Sequence, residues 1–219
     1  MAAKPAAAKA AVDGLATVEA WFTAQGWTPA PFRAGRSGLI HASTGSGKTL
    51  AAWLGPVSEA LDKPGRTGGL RILWITPLRA LASDTAGHLQ EAVDALGLDW
   101  KVETRTGDTS ASVRARQRRK LPETLITTPE SLSVLLSYRN AEESFKHLDA
   151  VIVDEWHELL GNKRGVQLQL CLSWLRARHS RLPVWGLSAT LGNLDEAMAV
   201  LLGEGAAVYQ YPLPGRAVV

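Results

Sequence analysis

A single cysteine, Cys171, in 219 residues excludes a disulfide framework and a cysteine zinc cluster. On its own it reads as a small buried apolar side chain. No apolar run reaches the length of a membrane helix, so no membrane partner is expected. The opening stretch MAAKPAAAKAA carries charge but has neither a compact apolar block nor a cleavage site. It reads as a loose tail and not as a signal peptide. Residues 1–14 are therefore read as a flexible alanine-rich segment, and the chain as cytoplasmic. Beyond that tail there is no low-complexity segment, and no internal repeat occurs. His41, His88, His147 and His179 lack metal-ligand spacing.

What is present suits one domain with a sizeable core. Hydrophobic residues make up 46% of the chain and charged residues 21%, ordinary values for a globular protein. The net charge of +3 is mild, but it is unevenly placed. Residues 101–120 hold seven basic residues against Glu103 and Asp108, a local charge of +5 that leaves −2 for the rest. Such a concentration fits a nucleic-acid contact. The local alternative is a solvated helix on which Arg114, Arg118 and Arg119 share one face.

Short apolar runs alternate with stretches of helical spacing. The runs are GLIHA (38–42), LRILWIT (70–76), WKVET (100–104), TLITT (124–128), AVIVD (150–154) and PVWGLS (183–188). Helical patterns cover Leu50 to Leu61, Leu78 to Leu96, Glu130 to Tyr138, Gln167 to Ala177 and Leu194 to Leu202. Near-continuous Val/Ile/Leu runs suit strands buried on both faces. Their alternation with helices predicts a doubly wound α/β domain with a mainly parallel sheet. Ligands in such folds gather beyond the carboxyl ends of the strands. Each run ends in polar residues: STGSGKT, TPLRA, RTGDT, TPES, DEWH and SAT. These six ends should share one edge.

ASTGSGKT, residues 42–49, follows the first run and opens a helix. It fits the phosphate-loop pattern, with Ala42 in place of the first glycine. Thr44, Gly45, Ser46 and Gly47 would supply the loop. The two glycines can turn their N–H groups toward phosphate oxygens at a helix N-terminus. Lys48 would reach the β- and γ-phosphates of ATP, and the Thr49 hydroxyl would sit on Mg²⁺. A second metal ligand is then needed. The buried run AVIVD delivers Asp154 to the sheet edge, where it can hold Mg²⁺ through water. Glu155, next in sequence, can take a proton from the attacking water. Two adjacent carboxylates repel unless a cation and a water give them separate roles. Trp156 could stack on a base or pack beneath the motif.

Taken together, GSGKT, then DEWH at 154–157, then Ser188-Ala189-Thr190 resemble the motifs of superfamily 2 DEXH-box helicases. TPLRALASDT (76–85), the segment 105–136 and VDEWHELLGNKRGVQLQL (153–170) resemble the Lhr-like group, in particular the ligase-associated DNA helicases of bacteria. The likeness runs from about Leu15 to the end. It implies a RecA-like fold over residues 15–210 and an ATP-dependent helicase or translocase in DNA repair. It also implies nucleic acid as partner, DNA before RNA, with a ligase or nuclease as a candidate protein partner. His157 would link the nucleotide site to Ser188, Ala189 and Thr190, coupling hydrolysis to strand movement. Thr76, Pro77 and Arg79, then Thr106 and Gly107, then Thr128 and Pro129, would hold the nucleic-acid backbone. Strand-end hydroxyls, helix N-termini and Arg79 are phosphate binders of that kind. Plain turn and capping chemistry is the local alternative, since Thr-Pro-Glu-Ser is a good helix start whatever it binds.

The resemblance breaks at two places. Helicases of this type carry an adenine-recognising Gln within an Arg/Glu-rich helix upstream of the phosphate loop. Here TPAPF (28–32) runs straight into RAGRSGLI (33–40), and Gln25 lies too early. The missing helix would uncover apolar surface beside the first strand, with Trp27 or Phe32 left as candidates to stack on the base. Second, YPLPGRAVV (211–219) reads as the start of a linker to a second RecA-like domain. A lone motor half would lack arginine fingers, so weak or absent ATPase is expected of it. Three rival readings stay open: an RNA helicase on the same scaffold, a catalytically weak nucleotide-dependent binding module, and a small-molecule kinase, which would have no need of DEWH, SAT or the backbone-contact turns.

Overall fold

In the computed structural model the six apolar runs become six strands. They are β1 (Gly38–His41), β2 (Ile72–Ile75), β3 (Val102–Arg105), β4 (Thr124–Thr127), β5 (Ala150–Val153) and β6 (Val184–Ser188). A seventh, β7 (Ala207–Gln210), joins at the edge. The structure describes residues 5–24, 26, 30–41, 45, 47–62, 68–189, 194–202 and 207–210. The expected linker at 211–219 lies outside them, as do Gln25, Trp27, Ala42, Thr44, Ser46 and Thr190.

The strands form one sheet in the order β3-β4-β2-β5-β6-β1-β7. All the pairings between them are parallel, so their carboxyl ends do lie along one edge. The order also sorts those ends. RTGDT, TPES and TPLRA follow the neighbours β3, β4 and β2. DEWH, SAT and the phosphate loop follow the neighbours β5, β6 and β1. The β2–β5 pairing, with Ile75 opposite Val153, is the seam between the two triplets.

Alternation along each strand feeds two cores. Ile72, Trp74, Ile126, Ile152 and Trp185 face one side. They meet α1 (Pro5–Ala24), α2 (Ala30–Arg33), α3 (Lys48–Asp62) and α4 (Arg79–Ala95) there. Leu73, Ile75, Leu125, Val151 and Val153 face the other. There they meet α6 (Pro129–Leu136), α7 (Ala141–Phe145), α8 (Lys163–Arg178) and α9 (Leu194–Leu202). Between β3 and β4 runs α5 (Ala111–Arg119), which buries only Gln117 and otherwise presents arginines.

Two expectations are corrected. Helix α1 begins at Pro5, inside the stretch read as a flexible tail. Alanine is the strongest helix former and proline is tolerated in a first helical turn. Farther along α1, Val18 and Phe22 anchor it in the core. The surface beside β1 is also not left open. The Phe32 ring lies 4.1 Å from the Trp185 ring, centroid to centroid, and fills the space above Gly55. A Cβ at Gly55 would meet that ring at 2.2 Å. Phe32 is 2% exposed and is not available to stack on a base.

Candidate nucleotide site and an arginine-lined cavity

At the β1 end, Gly45 and Gly47 take φ of +76° and +84°. That left-handed backbone is cheap only for glycine, and it fits the phosphate-cradle role read from the sequence. Lys48 opens α3 and is 6% exposed; Thr49 follows in the same turn, partly buried.

Asp154 stands one residue past β5, 7% exposed. Burial pushes its carboxyl pKa up to about 6, and the neighbouring Glu155 carboxylate adds to the rise. The Glu155 backbone N–H, donating to Asp154 Oδ1 at 3.0 Å, and the Lys48 ammonium pull it back in part. The Trp74 indole N–H is also close enough to favour the carboxylate, though it makes no well-formed hydrogen bond. Asp154 is thus an anion short of positive charge. The donors offered here are oxygens, and among the described residues no group of three or more acidic, histidine or cysteine side chains converges. That suits Mg²⁺, which keeps waters and shares a carboxylate with substrate phosphates. Asp154 and Thr49 are the residues that would hold it.

Glu155 has φ 44° and ψ 48°, and among the described residues it is the one non-glycine with positive φ. The left-handed turn costs about 1 kcal/mol and separates the two carboxylates. It also drives the chain into a 3₁₀ turn, Trp156–Leu159. That turn is pinned from below. The Asn162 side chain caps α8, accepting from the N–H groups of Arg164 and Gly165 at 2.9 and 3.0 Å. A Cβ at Gly165 would strike the Leu159 carbonyl oxygen at 1.9 Å. Trp156 is fully buried in the core, which sets aside its base-stacking reading. His157 lies between Glu155 and Ser188. Its Nδ1 lies 3.4 Å from Glu155 Oε2 and 3.1 Å from Ser188 Oγ. Ser188 ends β6, buried, with Ala189 beside it partly buried.

The second triplet of strand ends is built differently. Thr76, Thr106 and Thr128 are buried, and their hydroxyls already serve turns. Thr76 Oγ1 accepts from the Leu78 N–H at 3.3 Å and Thr106 Oγ1 from the Asp108 N–H at 3.3 Å. Thr128 caps α6 through the Ser131 N–H, and Pro129 fills the first helical position. Pro77 and Pro129 are buried as well. These residues shape the surface; Arg79 and Gly107 are the expected contacts that reach it. Arg79 lies across Gly107, its guanidinium 3.0–3.2 Å from where a Cβ would stand.

Arg79, Thr106, Gly107 and Ser131 share a cavity of about 560 Å³ with residues of α5 and α6. Arg105, Arg114 and Arg118 line it too. Arg105, which the sequence reading counted only as charge, is 3% exposed and its partners are neutral. It donates to the Arg114 carbonyl and Gln117 Oε1, both at 3.3 Å, and to the Tyr138 hydroxyl at 3.1 Å. Burial lowers its pKa, and nearby Arg114 and Arg118 add to the lowering. Arg114 spends its N–H groups on the carbonyls of Thr109 and Gly107. Arg118 lies over the Tyr138 ring, 4.5 Å from its centroid. Glu130, on the same wall, is engaged by Arg164. The tertiary pairing of Arg105 with Tyr138, 33 residues apart, left no local signal in the sequence.

Comparison with known proteins agrees with this geometry. The DEAD/DEAH box helicase family model matches residues 24–197, and the chain belongs to that family. Its similarity is to Lhr-type members. It is 40% identical over 182 residues to the ATP-dependent helicase Lhr-Core of Methanothermobacter thermautotrophicus, covering 77% of this chain and 21% of that protein. It is 39% identical to the Lhr helicase/uracil glycosylase of Escherichia coli, covering 76% of this chain and 12% of that one. The structure of Mycobacterium smegmatis helicase Lhr bound to ssDNA and AMP-PNP superposes with a TM-score of 0.67 at 35% identity, over 81% of this chain and 24% of that one. The chain therefore spans a quarter or less of these relatives. Among the described residues no helix is long and apolar enough to cross a membrane.

Proposed function

We propose that this Lhr-type helicase motor domain drives a DNA helicase or translocase in DNA repair, binding Mg²⁺-ATP at one triplet of strand ends and a DNA strand at the other. The observation that carries the reading is the sheet order. It supports the reading because the carboxylates that follow β5 and the arginine-lined cavity lie on either side of one strand pair, β2–β5.

The roles follow from the side chains. The N–H groups of the Gly45–Gly47 turn and the Lys48 ammonium hold the phosphates. Bound Mg²⁺, held by Thr49 and Asp154, would neutralise charge on the β- and γ-oxygens. Glu155, turned away from Asp154 by its backbone, orients the attacking water and takes its proton. His157 holds Glu155 and Ser188 together, so a change in the nucleotide reaches β6. On the other triplet, Arg79, exposed on the cavity lining, meets phosphates, which carry no base identity. The single-stranded DNA in the Mycobacterium smegmatis relative supports DNA before RNA. Superfamily 2 motors use a second RecA-like domain for arginine fingers, worth about 10³–10⁵ in rate. Residues 1–219 alone are therefore expected to bind ATP and turn it over weakly.

The test is calorimetric titration of residues 1–219 with Mg²⁺-ATP, then phosphate release with DNA or RNA strands of equal length. Saturable ATP binding, slow turnover and tighter binding to DNA are expected. A folded chain that binds no ATP overturns the nucleotide site. Brisk DNA-stimulated turnover overturns the motor-half reading, and equal affinity for RNA overturns the DNA assignment.

A further inference from the structure

The geometry points to the cavity between α5 and α6 as a seat for one unpaired nucleobase, which makes the bound form a single strand. The inference rests on the strand-binding reading and goes beyond it. A groove that only tracks phosphates needs cations on an open ridge and gains nothing from an apolar recess. This cavity has both. Arg79, Thr106 and Gly107 stand at one side, where a backbone phosphate meets cation and N–H. The same lining includes apolar side chains, Ala111 and Ala115 of α5 and Val134 of α6.

Val134 is 50% exposed, although Leu132 and Leu135 beside it are buried in the core. It is thus an apolar side chain held at the cavity wall and not in the core. The far wall is the Arg118 guanidinium laid over the Tyr138 ring at 4.5 Å. Planar guanidinium and aromatic groups are the surfaces on which unstacked bases lie. The cavity, at about 560 Å³, falls in the usual range of small-molecule sites, roughly 300–1,000 Å³. At its base sits Arg105, a cation with neutral partners that a base carbonyl oxygen or a phosphate would complete. Much of the polar lining is already engaged within the protein, Thr106 in its turn, Glu130 by Arg164, Arg114 on two carbonyls and Tyr138 by Arg105, so any base should fit. A base paired in a duplex cannot enter without leaving its partner.

The test compares an oligodeoxythymidine with an abasic strand of the same length and charge, so that phosphate attraction cancels. Binding is read by competition at fixed salt in the presence of a non-hydrolysable ATP analogue. The intact strand is expected to bind roughly tenfold tighter, the scale of one stacked base. Ala115→Leu, at an exposed helical position, fills the recess without disturbing the core. It should bring the intact strand down to the abasic level and leave the abasic strand unchanged. Tyr138→Leu should also lower the ratio of intact-strand to abasic-strand affinity, by removing the ring beneath Arg118. Equal affinity of the wild type for both strands overturns the base seat and leaves the phosphate-contact reading standing. A base preference that survives both variants places stacking elsewhere and also overturns it. Binding to neither strand overturns the strand-binding reading itself.

Discussion

Asp154 and Arg105 occupy opposite triplets of strand ends and pose the same electrostatic problem with opposite sign. Asp154 is a buried anion whose pKa burial pushes up to about 6; Arg105 is a buried cation whose pKa burial pushes down. Each sits beside a like charge, Glu155 for one and Arg114 and Arg118 for the other. A buried charge with too little opposite charge around it works against the fold. Contrast Arg71 and Asp149, which are paired with each other at the far ends of β2 and β5. That pair lies at the opposite edge of the sheet, whereas Asp154 and Arg105 are left short of opposite charge at the edge where ligands are expected. The difference between the triplets is then one of sign. The β5–β6–β1 end wants a cation together with phosphates, and the β3–β4–β2 end wants an anion.

The largest effect should come from Lys48→Ala. It removes a cation that is 6% exposed at the nucleotide end and should abolish saturable Mg²⁺-ATP binding, a loss of 100-fold or more on the scale of truncating one partner of a buried charge pair, about 3–5 kcal/mol. DNA affinity measured without nucleotide should stay within about twofold, since Lys48 lies outside the cavity. Equal damage to both affinities, in a chain that still unfolds cooperatively, would break the division into two sites.

Asp154→Asn tests the electrostatic half of the comparison. The folded pKa of Asp154, about 6, lies above the ordinary 3.8. Between those values the native state holds more protons than the unfolded one. Stability therefore falls as pH rises from about 4 to about 6, and the full penalty applies above that. Asparagine carries no such penalty. The variant should match the wild type near pH 4 and exceed it above pH 6 by up to about 3 kcal/mol, at about 1.4 kcal/mol per pKa unit. Turnover should be lost with it. Thermal melts across that pH range decide the matter, and a variant less stable at pH 8 would show that Asp154 is satisfied without a cation.

Much of this was legible beforehand, for reasons that also mark the limit. Buried parallel strands are continuous apolar runs, so six of the seven could be read from AVIVD and its counterparts. β7, AVYQ, is a short edge strand without that pattern. The nucleotide motifs were legible because the phosphate loop is local in sequence and DEWH is contiguous. Even the left-handed turn at Glu155, invisible in the sequence, only sharpened roles already assigned. The cavity was not legible, because its parts meet only in the fold. Arg105 finds Tyr138, Arg79 finds Gly107, and Val134 shares a lining with Ala115, all across distant elements. Sequence supplied the charge excess of residues 101–120 but not the recess those arginines enclose.

Arg118→Ala probes the cavity end with a smaller expected effect. It removes one exposed cation and uncovers the Tyr138 ring. DNA affinity should fall about five- to tenfold at moderate salt, while the slope of log affinity against log salt should hardly change, because this guanidinium lies on a base. ATP affinity should not move. A slope lower by about one would place the Arg118 guanidinium on a phosphate and not on the base, which would break the division of labour within the cavity.

Gly107→Ala should give the smallest change, and its size reads how Arg79 is held. Gly107 does not need a left-handed backbone, since its φ is not among the positive ones. A Cβ there would meet only the far end of Arg79, at 3.0–3.2 Å, and an exposed guanidinium can swing aside. The ion pair it would disturb, Arg79 to Asp108 at 3.9 Å, is exposed on both sides and contributes little. Stability should therefore change by no more than about 0.5 kcal/mol, while DNA affinity falls two- to threefold as Arg79 leaves the cavity mouth. Gly165→Ala, whose Cβ would meet the backbone oxygen of Leu159 at 1.9 Å, has no such escape and serves as the contrast. If Gly107→Ala instead costs as much stability as Gly165→Ala, then Arg79 is fixed as rigidly as the 3₁₀ turn. The mouth of the cavity would then be a preformed phosphate site and not one that closes on its strand.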